Sequence, residues 1–171
     1  MKRRMKKVIS VSICIMCIAL SFVGCSRSFN KEEYILAVNN YLAEITNEER
    51  IINLSTLSTN GEIKYLPRVI RDNLENWKKE YESDLKNISV PSELDELKGS
   101  MDILYELINE LYILADKAWE YCSNNPGNFD DSDRLIVNDD SYMQLITDYN
   151  NLILNIYSEF QNVITKLNQL S

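Results

Sequence analysis

Past residue 30, the apolar positions of this chain recur at steps of three and four. Leu94, Leu97, Met101, Leu104, Ile108, Leu111, Ala115, Ala118 and Cys122 keep that rhythm for four heptads, which predicts one long amphipathic helix. Tyr142, Ile146, Tyr149, Ile153, Ile156, Phe160, Val163, Leu167 and Leu170 predict a second, from about 140 to 169. Ile63, Leu66, Ile70, Leu74, Trp77, Tyr81, Leu85 and Ile88 predict a third, regular from about 64 to 88. Pro67 cannot donate its amide and so belongs in that helix's first turn. Tyr34, Val38, Tyr41, Leu42 and Ile45 form the face of the first helix. Its period falters at Glu48, so a break is expected near 46 to 48, followed by a short helix carrying Ile52.

Local signals agree with these boundaries. Asn30 with Glu33, Ser92 with Asp95, and Ser141 with Gln144 have capping-box spacing. Gly99 lies near the start of the longest heptad run and should weaken it by less than about 1 kcal/mol. No strand-like alternation or hairpin signal occurs. Helices of similar length joined by short links pack as antiparallel neighbours. The expected fold is therefore all-α: an elongated up-down bundle of about four helices over residues 30–171. The 124–139 connection is long for a bundle turn.

The first 25 residues follow another logic. Lys2, Arg3, Arg4, Lys6 and Lys7 precede an apolar run from Val8 to Val23, which ends in Gly24-Cys25. This layout is that of an export signal, an apolar signal-peptide helix ahead of the bundle. The run has 16 residues, short of the roughly 20 that span a bilayer. Phe22-Val23-Gly24-Cys25 resembles the lipobox of bacterial lipoproteins, although Phe22 stands where that family most often has Leu. The resemblance implies cleavage between Gly24 and Cys25 and a diacylglyceryl thioether on Cys25. Residues 1–24 would be removed, and 25–29 would form a short lipidated tether. The partner so implied is the membrane, reached through lipid on Cys25, at its extracytoplasmic face. The mature part is similar in general layout to small helical lipoproteins of Gram-positive bacteria.

Cleavage changes the charge picture. The 24 residues removed carry five of the 18 Lys and Arg and none of the 26 acids, so the mature chain has a net charge of −13. That argues against nucleic acid as a partner. The sequence contains no His, which removes His-based triads, the usual zinc sets and di-iron bundle sites. No cofactor is expected. Cys122 is the only thiol after Cys25, and its heptad position reads as core.

Few residues suggest chemistry. Asp102, Glu106 and Glu110 recur every four residues, but on the phase opposite the core, where carboxylates hydrate. Asn128, Asp130, Asp131 and Asp133 resemble a calcium loop, yet position six from Asp131 is Ile136 and position twelve is Tyr142. That excludes an EF-hand, which needs Gly and Glu there, and leaves a polar loop with capping Asp residues or, as the alternative, a weak irregular calcium site. Asp84 falls on the core stripe, with Leu85 able to take its place. Tyr105, Tyr112 and Trp119 line one flank of the long helix at heptad intervals. That pattern suits a helix–helix seam, or a flank for a partner or ligand. The expectation is a non-catalytic protein-interaction module, working on an unknown partner or by self-association. The alternative is a lipoprotein holding a small apolar or glycan ligand between helices.

Overall fold

The computed structural model describes residues 27–46, 64–137 and 139–170. Among the described residues are four α-helices: α1 (Lys31–Ile45), α2 (Leu66–Asp84), α3 (Asp95–Asn124) and α4 (Asp140–Leu170). Among the described residues there is no strand, and no helix is long and apolar enough to cross a membrane. The signal segment, Gly24, Cys25, Ile63 and the short helix expected around Ile52 lie outside the described residues.

Helix α3 is the central element, packed against α2 on one side and α4 on the other. All nine of its predicted stripe positions are buried. Neighbours run antiparallel. Arg71 meets Asp116 and Tyr81 meets Asp102 across α2 and α3, while Lys166 reaches Glu96 and Asn162 reaches Ser100 across α3 and α4. The α1 face (Tyr34, Val38, Tyr41, Leu42, Ile45) joins the same core. A smaller cluster of Ala118, Cys122, Phe129 and Tyr142 closes the far end.

The helix ends show which local signals won. At α1 the capping box forms: Asn30 Oδ1 accepts from the Glu33 amide and the Glu33 carboxylate accepts from the Asn30 amide, both at 2.9 Å. The helix stops at Ile45, where the Thr46 amide and hydroxyl both donate to the Leu42 carbonyl. Pro67 sits in the first turn of α2, as its missing donor requires.

Helix α2 ends at Asp84, earlier than the periodicity predicts. The amides of Leu85 and Lys86 both turn onto the Tyr81 carbonyl. This leaves Asp84 exposed while Leu85 and Ile88 stay buried in the turn. The departure frees Ser89 to pair with the N-terminal segment: its amide donates to the Arg27 carbonyl at 3.0 Å, and its carbonyl accepts from the Phe29 amide at 3.1 Å. Residues 27–29, expected as tether, are thus docked on the α2–α3 connection.

Two expected caps are corrected. The Ser92–Asp95 box does not form, because Ser92–Leu94 is a 3₁₀ turn. The Asp95 amide, which the Ser92 hydroxyl would have received, already donates to the Ser92 carbonyl. At α4 the cap is Asp139 rather than Ser141. Asp139 Oδ1 accepts from the amides of Ser141 (2.9 Å) and Tyr142 (3.3 Å). Gln144 instead bonds Asp148 one turn on.

Gly99 is exposed in the second turn of α3, and a Cβ built there meets nothing within 4 Å. Gly99→Ala should therefore stabilise the fold by about 0.5–1 kcal/mol, since alanine narrows the unfolded ensemble without strain. A urea midpoint that moves upward at unchanged slope is the expected result.

Candidate functional site

The aromatic flank of α3 faces α2, and each ring meets a cation: Tyr112 and Trp119 one from that helix, Tyr105 one from the turn that follows it. Tyr105 is 6% exposed and stacks on Tyr81 with centroids 4.7 Å apart. Its hydroxyl donates to the Glu82 carboxylate and accepts from Lys86 Nζ, which also lies 4.5 Å from the ring centroid. Burial, then the Glu82 bond, pushes the Tyr105 phenol up, and the same bond holds Glu82 below the usual carboxylate range. Lys78 Nζ stands 4.1 Å over Tyr112, and the Arg68 guanidinium 5.8 Å over Trp119. The seam is a ladder of cation–π contacts, a pairing favoured because a ring face is electron-rich. Heptad phase placed the rings but gave no sign of the cations. The signal was the basic set Arg68 and Lys78 on the facing helix and Lys86 just past its end.

Deeper in the seam, Tyr81 donates to Asp102 Oδ1 at 2.6 Å, and Lys98 bridges the same carboxylate at 3.3 Å. This corrects the reading of Asp102 as a merely hydrated acid. It is half-buried, and a long phenol reaches it from across the seam; Glu106 and Glu110 do stay exposed. Burial, followed by the bond to Asp102, raises the Tyr81 phenol far above the normal range. Burial likewise raises Tyr34, Tyr142 and Tyr149. These phenols stay protonated at any ordinary pH and serve as donors or apolar bulk.

At the far end of the bundle some aromatic and apolar surface is left open. Trp119 is half-buried, and its ring lies 6.2 Å from that of Tyr65. Tyr65 and Val69 are 48% and 46% exposed, with Arg68 beside them. Of the three flank aromatics, Trp119 is therefore the one grouped with exposed apolar surface.

The acidic loop is organised by its own backbone. Asp130 Oδ1 accepts from the amides of Ser132 and Arg134, and the Asp133 carbonyl accepts from the Lys64 amide. Asn128 donates to the Tyr121 hydroxyl. No group of three or more metal-ligating side chains converges among the described residues. Cys122 is fully buried with Sγ 3.6 Å from the Tyr142 hydroxyl, and burial pushes its thiol up.

Asp139 joins cap and seam. It accepts from Ser141 and from Tyr121 (2.7 Å), and these bonds bring its carboxyl down from 3.8 to about 2. A depressed carboxyl stabilises the fold fully above its unfolded value and loses that effect as the pH falls toward its folded value. Asp139→Asn keeps a capping oxygen but no charge. It should lower the melting temperature at neutral pH, and the gap to wild type should close between pH 3.8 and about 2. Melts across that range check this; a constant gap would mean the charge is irrelevant.

Two clefts lie elsewhere. One of about 440 Å³ sits between α1 and α2, lined by Phe29, Tyr41, Glu44, Glu80 and Asp84 among others. Another of about 200 Å³ lies between the end of α1 and α4, lined by Ile45, Thr46, Ile153, Ile156, Tyr157, Phe160 and Gln161. Neither includes Tyr105, Tyr112 or Trp119. No protein-family model, curated protein or solved structure matches this chain.

Proposed function

We propose that this chain is a lipid-anchored, extracytoplasmic helical domain that acts by binding a protein partner rather than by catalysis. The anchor rests on the basic start, the apolar run and Gly24-Cys25. The observation that carries the binding role is the half-exposed group of Tyr65, Arg68, Val69 and Trp119 at the seam's far end. Tyr, Trp and Arg dominate interface energetics because they combine large apolar area with a polar handle. Tyr105 and Tyr112 stabilise the seam beneath it. The absence of His and the protonated state of the buried tyrosines support a non-catalytic role.

The test is crosslinking of the full lipoprotein in its own cells, in wild type and in Tyr65→Ala and Arg68→Ala. One reproducible partner that both variants lose supports the reading. A partner kept by both variants would place binding elsewhere. Capture of the chain alone would indicate self-association.

A second reading has its own observation, the apolar cleft between α1 and α4. A small apolar ligand held there should be displaced by Ile153→Trp, which fills the cleft. An apolar fluorescent dye that binds wild type and this variant equally would remove that reading.

A further inference from the structure

We infer that the α2–α3 connection, residues 85–92, is the foot on which the bundle stands against an anionic bilayer, with the 125–140 loop at the opposite, membrane-distal end. This rests on the proposed lipid at Cys25. Cys25 is two residues from Arg27, so their Cα atoms are at most about 7 Å apart. Arg27 is fixed in turn: its carbonyl accepts from Ser89, and its guanidinium lies 4.7 Å over the Phe29 ring. Phe29 also pairs with Ser89 and packs on the core, and the capping box at Asn30 follows at once. The path from lipid to α1 therefore has almost no slack. It delivers the acyl chains beside the turn, not to the flank or the far end.

The helices give this geometry its length. Helix α3 has 30 residues, so at 1.5 Å each its far end lies about 45 Å from the foot. Charge is distributed along the same axis. Residues 25–31 carry Arg27 and Lys31, and residues 85–92 carry Lys86; neither stretch contains an acid. Carboxylates begin just behind them, at Glu32, Asp84 and Glu93. The far loop, 125–140, has five aspartates (Asp130, Asp131, Asp133, Asp139, Asp140) against Arg134. Surface charges act over about 8 Å at physiological salt. An upright bundle keeps the aspartates out of that layer. Tilting onto the membrane would bring them into it and be opposed. In a domain of net charge −13, Arg27, Lys31 and Lys86 stand beside Glu32, Asp84 and Glu93 at the foot, so the short tether, not an acid-free patch, sets the footing.

The lipoprotein is purified with its lipid and reconstituted into phosphatidylcholine–phosphatidylglycerol vesicles carrying a nitroxide headgroup quencher. Fluorophores are placed by Asn87→Cys or Ser132→Cys, both exposed sites; Cys122 is buried and spared. The expected result is several-fold stronger quenching at 87 than at 132. Equal quenching, or stronger quenching at 132, would overturn the upright foot. If the unmodified chain does not float with vesicles, the anchor reading fails and this inference falls with it. Flotation separates that failure from a wrong orientation.

Discussion

Trp77→Ala should destabilise the domain by about 3–5 kcal/mol, the range for a large aromatic removed from a core that relaxes only partly. Trp77 is 1% exposed in the middle of α2, in the cluster that joins α1, α2 and α3. A domain of this kind has about 5–15 kcal/mol in total, so the variant should lose a large part of its cooperativity margin. Urea unfolding of residues 26–171, followed by far-UV circular dichroism, reads the effect. The other tryptophan supplies the comparison. Trp119 is half-buried at the far end, so Trp119→Ala should cost clearly less. Equal costs would mean that the far end is packed as tightly as the centre, which would remove the argument for leaving Tyr65 and Trp119 to a partner.

Burial was legible in the sequence wherever it depended on period alone. Every predicted stripe position of α3 is buried, and the α1 face and most of α4 follow. A 3.6-residue repeat leaves one solution for which side faces inward. What period cannot encode is what reaches across a seam. Asp102 is on the outward phase, but Tyr81 is long enough to meet it. Nor does period show that Lys78, Lys86 and Arg68 come to lie over the α3 rings.

Helix ends failed for a related reason. Ser92 and Ser141 have capping spacing, but backbone bonds within a 3₁₀ turn took the role from one, and Asp139 took it from the other. Such competitors lie within a few residues and differ by about 1 kcal/mol, too little for spacing to decide. The early end of α2 is of another kind: it goes together with Ser89 pairing with residues about 60 positions away, and no local pattern holds that information.

If Cys25 carries the proposed lipid, Cys25→Ser should abolish lipid attachment and, with it, the anchoring of the processed chain. Two acyl chains hold a protein stably because each buried methylene contributes about 0.8 kcal/mol, whereas one chain holds it only marginally. The described residues offer no spanning helix to compensate, and a net charge of −13 gives the mature domain no general attraction to anionic lipid. Growth with labelled palmitate, followed by separation of membranes from the soluble fraction, tests both consequences together. The expected outcome is loss of label, accompanied by release of the chain or its retention as unprocessed precursor. Size distinguishes these, since the precursor keeps residues 1–24. Label that survives in the variant would remove Cys25 as the acceptor. Wild type that is membrane-bound, unlabelled and of precursor size would make the apolar run itself the anchor. In that case Cys25 carries no lipid, the two-residue link to Arg27 no longer fixes where acyl chains enter, and the foot at 85–92 loses its cause.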